Sequence, residues 1–96
     1  MRRRRSPEII AGRINIDGTI AAGDGFTSVK NSTGTYTITF APGFRPIAAN
    51  GAPNAANCVL RFEGWTSNAV AVLSVASNTL ALTDSAFSFA ATGVQQ

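Results

Sequence analysis

The chain contains no histidine and a single cysteine, and charged residues make up only 14% of it. Without histidine it can build no Ser-His-Asp triad, no Cys-His pair and no His/Cys zinc site, and one cysteine cannot close a disulfide within the chain. No two carboxylates stand at a spacing that implies acid–base chemistry. No apolar run approaches the length needed to cross a bilayer, so membrane insertion is not expected. The basic opening is not expected to act as a secretory signal, because Ser6-Pro7-Glu8 follows the arginines where an apolar stretch should stand. These absences point to a non-enzymatic protein with no cofactor.

What is present suits strands and turns. The 96 residues are 45% hydrophobic, but sixteen are alanine, and ten threonines, eight serines, seven asparagines and nine glycines dominate the rest. That mixture favours half-buried strands and is poor in the residues of helical proteins. A chain of this size holds one domain with a thin core.

The formal net charge of +3 comes from one place. Arg2, Arg3, Arg4 and Arg5 supply half of the eight basic residues, and without them the remainder carries four positive and five negative side chains. Arg13, Lys30, Arg45 and Arg61 are widely separated, whereas a nucleic-acid-binding body needs a continuous basic face with stacking aromatics. Nucleic acid is therefore not the expected partner. The arm remains open to three readings: a solvated terminus, a segment docking on an acidic protein partner, or direct nucleic-acid contact. The chain divides into a basic N-terminal arm, residues 1–12, and a β domain, residues 13–96.

Period-two alternation runs through that domain. Arg13-Ile14-Asn15-Ile16-Asp17 ends at the turn dipeptide Asp17-Gly18, and residues 19–22 form a short returning strand. Phe26–Lys30 alternates imperfectly. In Thr35-Tyr36-Thr37-Ile38-Thr39-Phe40 every residue is β-branched or aromatic, with Tyr36, Ile38 and Phe40 on one face. Pro46 confines the segment after Phe44 to an edge strand or a loop, and residues 50–57 read as a loop. Cys58–Glu63 alternates again, residues 64–68 turn, and Ala69–Ala76 is a strand or, as the alternative, a short helix. Residues 80–83 and 86–90 complete a pattern of short strands with frequent turn signals. The expected fold is all-β: a small antiparallel β-sandwich, jelly-roll-like, with an extended N-terminal arm.

Three stretches, Gly25-Phe26-Thr27-Ser28-Val29, Gly34-Thr35-Tyr36-Thr37-Ile38-Thr39-Phe40 and Phe44-Arg45-Pro46-Ile47, resemble a recurring pattern of bacteriophage tail-fibre and virion-surface modules. Phe87-Ser88-Phe89 before Gly93 is similar to the closing strand of such knobs, and Ile14 to Ile20 to their opening turn. Together the likeness covers most of residues 13–93. It implies a small β-sandwich on the outside of a virion, assembled as a homotrimer, with no catalytic residues. In this sequence Phe44 and Pro46 stand closer together than in the pattern, and no shaft-like segment is present.

Individual residues carry further expectations. Cys58 shares a face with Leu60 and Phe62 and reads as a small buried hydrophobe. Trp65 could cover the end of the core or, with Asn68, form a recognition surface for a host glycan. Asp17 and Asp24 lie in separate turns and fall short of a calcium ligand set. Gly23-Asp24-Gly25 lacks the third glycine and the helix of a dinucleotide loop. A thin core leaves folding close to balance, so burial between copies is expected to supplement it, with Val70, Val72 and Val75 as the candidate trimer interface. The functional expectation is a virion-surface protein of the tail-fibre or spike type, docked on other virion proteins through Arg2–Arg5. The alternatives are a capsid or tail decoration protein and a lectin-like module.

Overall fold

The structure, a computed structural model, describes residues 7–95. It contains eight strands, and no helix occurs among the described residues: β1 (Pro7–Ile14), β2 (Ile20–Ala22), β3 (Phe26–Ser32), β4 (Thr35–Phe40), β5 (Phe44–Pro53), β6 (Cys58–Glu63), β7 (Ala69–Ala76) and β8 (Phe87–Gln95). They form two antiparallel four-stranded sheets, β2-β1-β8-β5 and β3-β4-β7-β6. The pairs β1–β2, β3–β4 and β6–β7 are neighbours within a sheet, whereas the links β2–β3, β4–β5, β5–β6 and β7–β8 cross between sheets. The result is a small β-sandwich.

Alternation explains how the layers close. Tyr36, Ile38 and Phe40 of β4 are at most 2% exposed, and Val70 and Val72 of β7 lie beside them in register with Ile38 and Tyr36. Phe87, Phe89 and Ala91 of β8 project from the other sheet into the same core. Four aromatic pairs join the sheets: Phe26 with Phe89 at 5.0 Å between ring centroids, Tyr36 with Phe87 at 5.1 Å, Phe40 with Phe44 at 5.1 Å, and Phe40 with Phe89 at 6.4 Å. The first two meet edge to face, the arrangement that aromatic quadrupoles favour. Gly12 makes the Phe26 contact possible, because a Cβ at that position would collide with the ring.

The structure moves several boundaries. β1 begins at Pro7 and pairs with β8 along its whole length, so residues 7–12 belong to the sandwich and not to an arm ending at residue 12. Their sequence hid this, because Ile9 points away from the core with 70% of its surface exposed. Residues 50–53, expected in a loop, are the second half of β5. β5 is an edge strand, where Pro46 and Pro53 cost the ladder little, and a bulge separates Pro46 from Ala48. The strand expected at residues 80–83 is reduced to one bridge between Val75 and Leu82. Ala69–Ala76 is a strand, as its valines suggested.

The proposed interface valines need correcting. Val70, Val72 and Val75 are 1%, 0% and 2% exposed within a single copy. The first two fill the core, and Val75 on the opposite face is shut in by its partners Val59 and Leu82. They have no surface left to offer a second copy.

Candidate functional site

The loops gather at the two ends of the sandwich, and each end carries a concave surface. At one end the β6–β7 turn meets the links β2–β3 and β4–β5. The Asn68 carbonyl accepts a 2.7 Å bond from the Phe40 amide, and the Gly25 carbonyl accepts one of 2.9 Å from Ala41. The Thr66 hydroxyl lies 3.3 Å from the Asn68 side-chain oxygen and receives the Asn68 amide at 3.4 Å, which sets the turn. Asn68 therefore stands between an apolar hollow lined by Phe26, Phe40 and Pro42 and a polar one lined by Arg45 and Ser67.

Of the two residues expected to recognise a surface, only Asn68 is brought to these hollows. Trp65 sits on the same turn, 41% exposed, and lines neither. The hollow's other walls come from Thr27, Thr39 and Pro42, which the sequence pattern marked only as strand and turn residues. The candidate docking residues Arg2, Arg3, Arg4 and Arg5 lie outside the described residues.

The opposite end holds a groove whose lining includes Arg13, Asn15, Asn54 and Ser88, all exposed, above the buried Ile14 and Phe87. It continues into a second depression with Ile16, Asp17, Asp84 and Ser85. Here the carboxylates are engaged. Asp84 accepts 2.6 Å and 2.7 Å bonds from the Lys30 ammonium and the Gly34 amide, which hold its pKa below the ordinary aspartate value. The same ion pair raises the Lys30 pKa. Asp17 accepts from the hydroxyl and amide of Thr19, which lower its pKa. The Tyr36 hydroxyl donates 2.8 Å to the Ile16 carbonyl, and burial pushes its pKa up. Among the described residues the ion pairs are Lys30–Asp84 and Arg61–Glu63, so Arg13 and Arg45 meet no carboxylate there.

Chemically this end offers a guanidinium, two amides and a hydroxyl over an apolar base. Such groups can hold a polar ligand by hydrogen bonds, and none is a nucleophile set beside a base. Cys58 is buried, as its strand position indicated, and is not disulfide-bonded. Among the described residues no three His, Cys, Asp or Glu side chains gather where they could hold a metal ion, and no helix is long and apolar enough to cross a membrane.

The chain matches no protein-family model, no curated protein and no solved structure.

Proposed function

We propose that the protein is a non-enzymatic structural subunit of a bacteriophage virion surface, a tail-fibre- or spike-like knob attached to the particle through its N-terminal arm. The observation that carries this reading is where the sandwich starts. β1 begins at Pro7, with only Ser6 between it and Arg2–Arg5 in the sequence, so the cationic run and the core occupy separate segments. A tether and a folded head can then act independently. The resemblance of residues 25–47 to fibre-knob patterns adds support, since those residues span β3, β4 and the start of β5. The loop-borne hollow at Asn68 would face a host surface, with glycan as the ligand class suited to its amide and arginine neighbours.

The decoration-protein reading shares the same tether and differs in number. Quantitative mass spectrometry of purified particles separates them: a few copies per particle support the knob, hundreds support decoration, and absence from particles overturns both. Deleting residues 1–5 leaves β1 complete, so the truncated chain should keep its fold and its thermal stability. It should bind particles more weakly, and the intact chain's binding should fall with added salt. Equal binding by both chains with the same salt response removes the arm from the docking role.

A further inference from the structure

The outer face of the sheet β2-β1-β8-β5 is hollowed at one end by what its registers bring into line. Directly opposed residues of neighbouring strands share a face, and Arg13, Ser88 and Ala52 stand in one row across β1, β8 and β5. The next row, Ile14, Phe87 and Pro53, turns the other way, with Ile14 and Phe87 buried in the core. Asn15 and Asn54 follow on the flanking strands, both exposed, and the Asn54 amide donates 2.7 Å to the Ala86 carbonyl at the start of the middle strand. The middle strand thus presents only a serine and an alanine, while its flanks raise a guanidinium and two amides. The resulting hollow of about 480 Å³ suits a small polar molecule.

Its chemistry is specific in sign. Among the described residues Arg13 is the only charged group in the lining, and it meets no carboxylate. A guanidinium presents paired donors in a planar fork that matches a carboxylate. Asn15 donates 2.9 Å from its amide nitrogen to the Thr19 hydroxyl, which leaves its side-chain oxygen to accept. Asn54 and Ser88 add donors and acceptors of the kind that bind hydroxyl groups. The floor is aliphatic, from Ala52, Pro53 and Ala86, and the Phe87 ring beneath is 1% exposed, so an aromatic ligand has nothing to stack on. Past Ala86 the hollow runs on to Asp17 and Asp84. Asp17 makes no ion pair among the described residues, and its charge repels a second anionic group while its oxygens accept from hydroxyls.

We propose that this hollow binds a hydroxylated carboxylate, the chemistry of a uronic-acid sugar unit, with the carboxylate on Arg13 and the hydroxyls on Asn15, Asn54 and Ser88. The site lies at the end of the sandwich opposite Asn68, so it is separate from the hollow there and does not rest on the virion reading. The same chemistry occurs in free sugar acids and in acidic polysaccharides.

The test is a titration of the nitrogen-15-labelled full chain with galacturonate, trigalacturonate, galactose and acetate, followed through backbone amide shifts. Both galacturonate probes should move the amides of Arg13, Asn15, Asn54 and Ser88 and leave Asn68 in place. Galactose and acetate should bind about tenfold more weakly or worse. Tighter binding of the trimer assigns the site to a polysaccharide, and equal binding to a free sugar acid. Arg13→Gln should weaken binding about tenfold or more. Ser88→Val, a strand-compatible change on the exposed face, fills the floor and should abolish binding even if Arg13→Gln disturbs the strand. Arg61→Gln, on the other sheet, should change nothing, which separates the site from a general charge effect. Shifts centred on Asn68, no shifts in this hollow, or undiminished binding by Arg13→Gln each overturn the proposal. So does acetate or galactose binding as tightly as galacturonate, since one means a bare anion contact and the other a site indifferent to charge.

Discussion

β4 and β1 sit in the same sandwich and depend on it in opposite ways. β4 has a strand on each side along nearly its whole length, and its alternate residues fill the core. Among strands, β1 leans on β8 alone for most of its course, and its largest apolar outward side chain, Ile9, faces solvent. Burial in β4 is set by its own sequence rhythm. Burial in β1 depends on which neighbours reach it, and among the described residues no strand pairs with its outer side from Pro7 to Gly12.

Side-chain truncation should expose that contrast most strongly. Phe40→Ala removes a ring packed on Phe44 and Phe89 and should cost about 3–5 kcal/mol, a large part of the stability of a small domain. Ile9→Ala should cost less than about 0.5 kcal/mol, because that side chain is 70% exposed. Urea unfolding of both variants checks this, and equal costs would erase the distinction between the strands. A second substitution tests one of the places where β1 touches the core. Gly12→Ala puts a methyl into the Phe26 ring and should destabilise by about 1–3 kcal/mol, although alanine is otherwise mild in a strand.

The smallest expected effect concerns the clip holding the β7–β8 link to β3 and β4. Asp84 is more acidic in the folded chain because of Lys30 and the Gly34 amide, so its contribution is present above the ordinary value of 3.8 and lost as pH falls through its lowered pKa. Lys30 has the opposite sign: its contribution holds below 10.5 and is lost as pH rises through its raised pKa. Both side chains are 29% exposed, so solvent screens the pair. Thermal melting against pH should show a shallow acid loss that Asp84→Asn removes. An unchanged acid limb in that variant would assign the loss to other carboxylates.

The strands that could be read from sequence were those whose two faces meet different environments. β4, β6 and β7 alternate or run apolar because one side meets the core, and the burial of Cys58 followed from the same rhythm. Pro46 confined its segment to an edge or a loop because proline lacks the donor an interior strand must supply, and the structure makes it an edge strand. β1 was hidden because Glu8-Ile9-Ile10-Ala11 has no period of two, and the second half of β5 because its residues are small and mostly exposed. The valines of β7 were misread for a related reason: an apolar run shows that a segment is buried, not what buries it. Of the two residues expected to recognise a surface, Asn68 reaches a hollow through its turn geometry, which neighbouring loops impose and no local pattern announces.

By itself the sequence determined that this chain makes sheets, that its core comes from alternate aromatic and β-branched residues, and that its cationic run and its core residues occupy different stretches of the chain. These follow from side-chain chemistry acting over a few residues. The tertiary structure alone decided that residues 7–12 join the sandwich, that Val70, Val72 and Val75 are closed off within one copy, and that among the described residues no strand pairs with the outer edge of β1 from Pro7 to Gly12. Each depends on which distant strand arrives alongside, and a three-residue β2 does not reach far enough to cover Ile9.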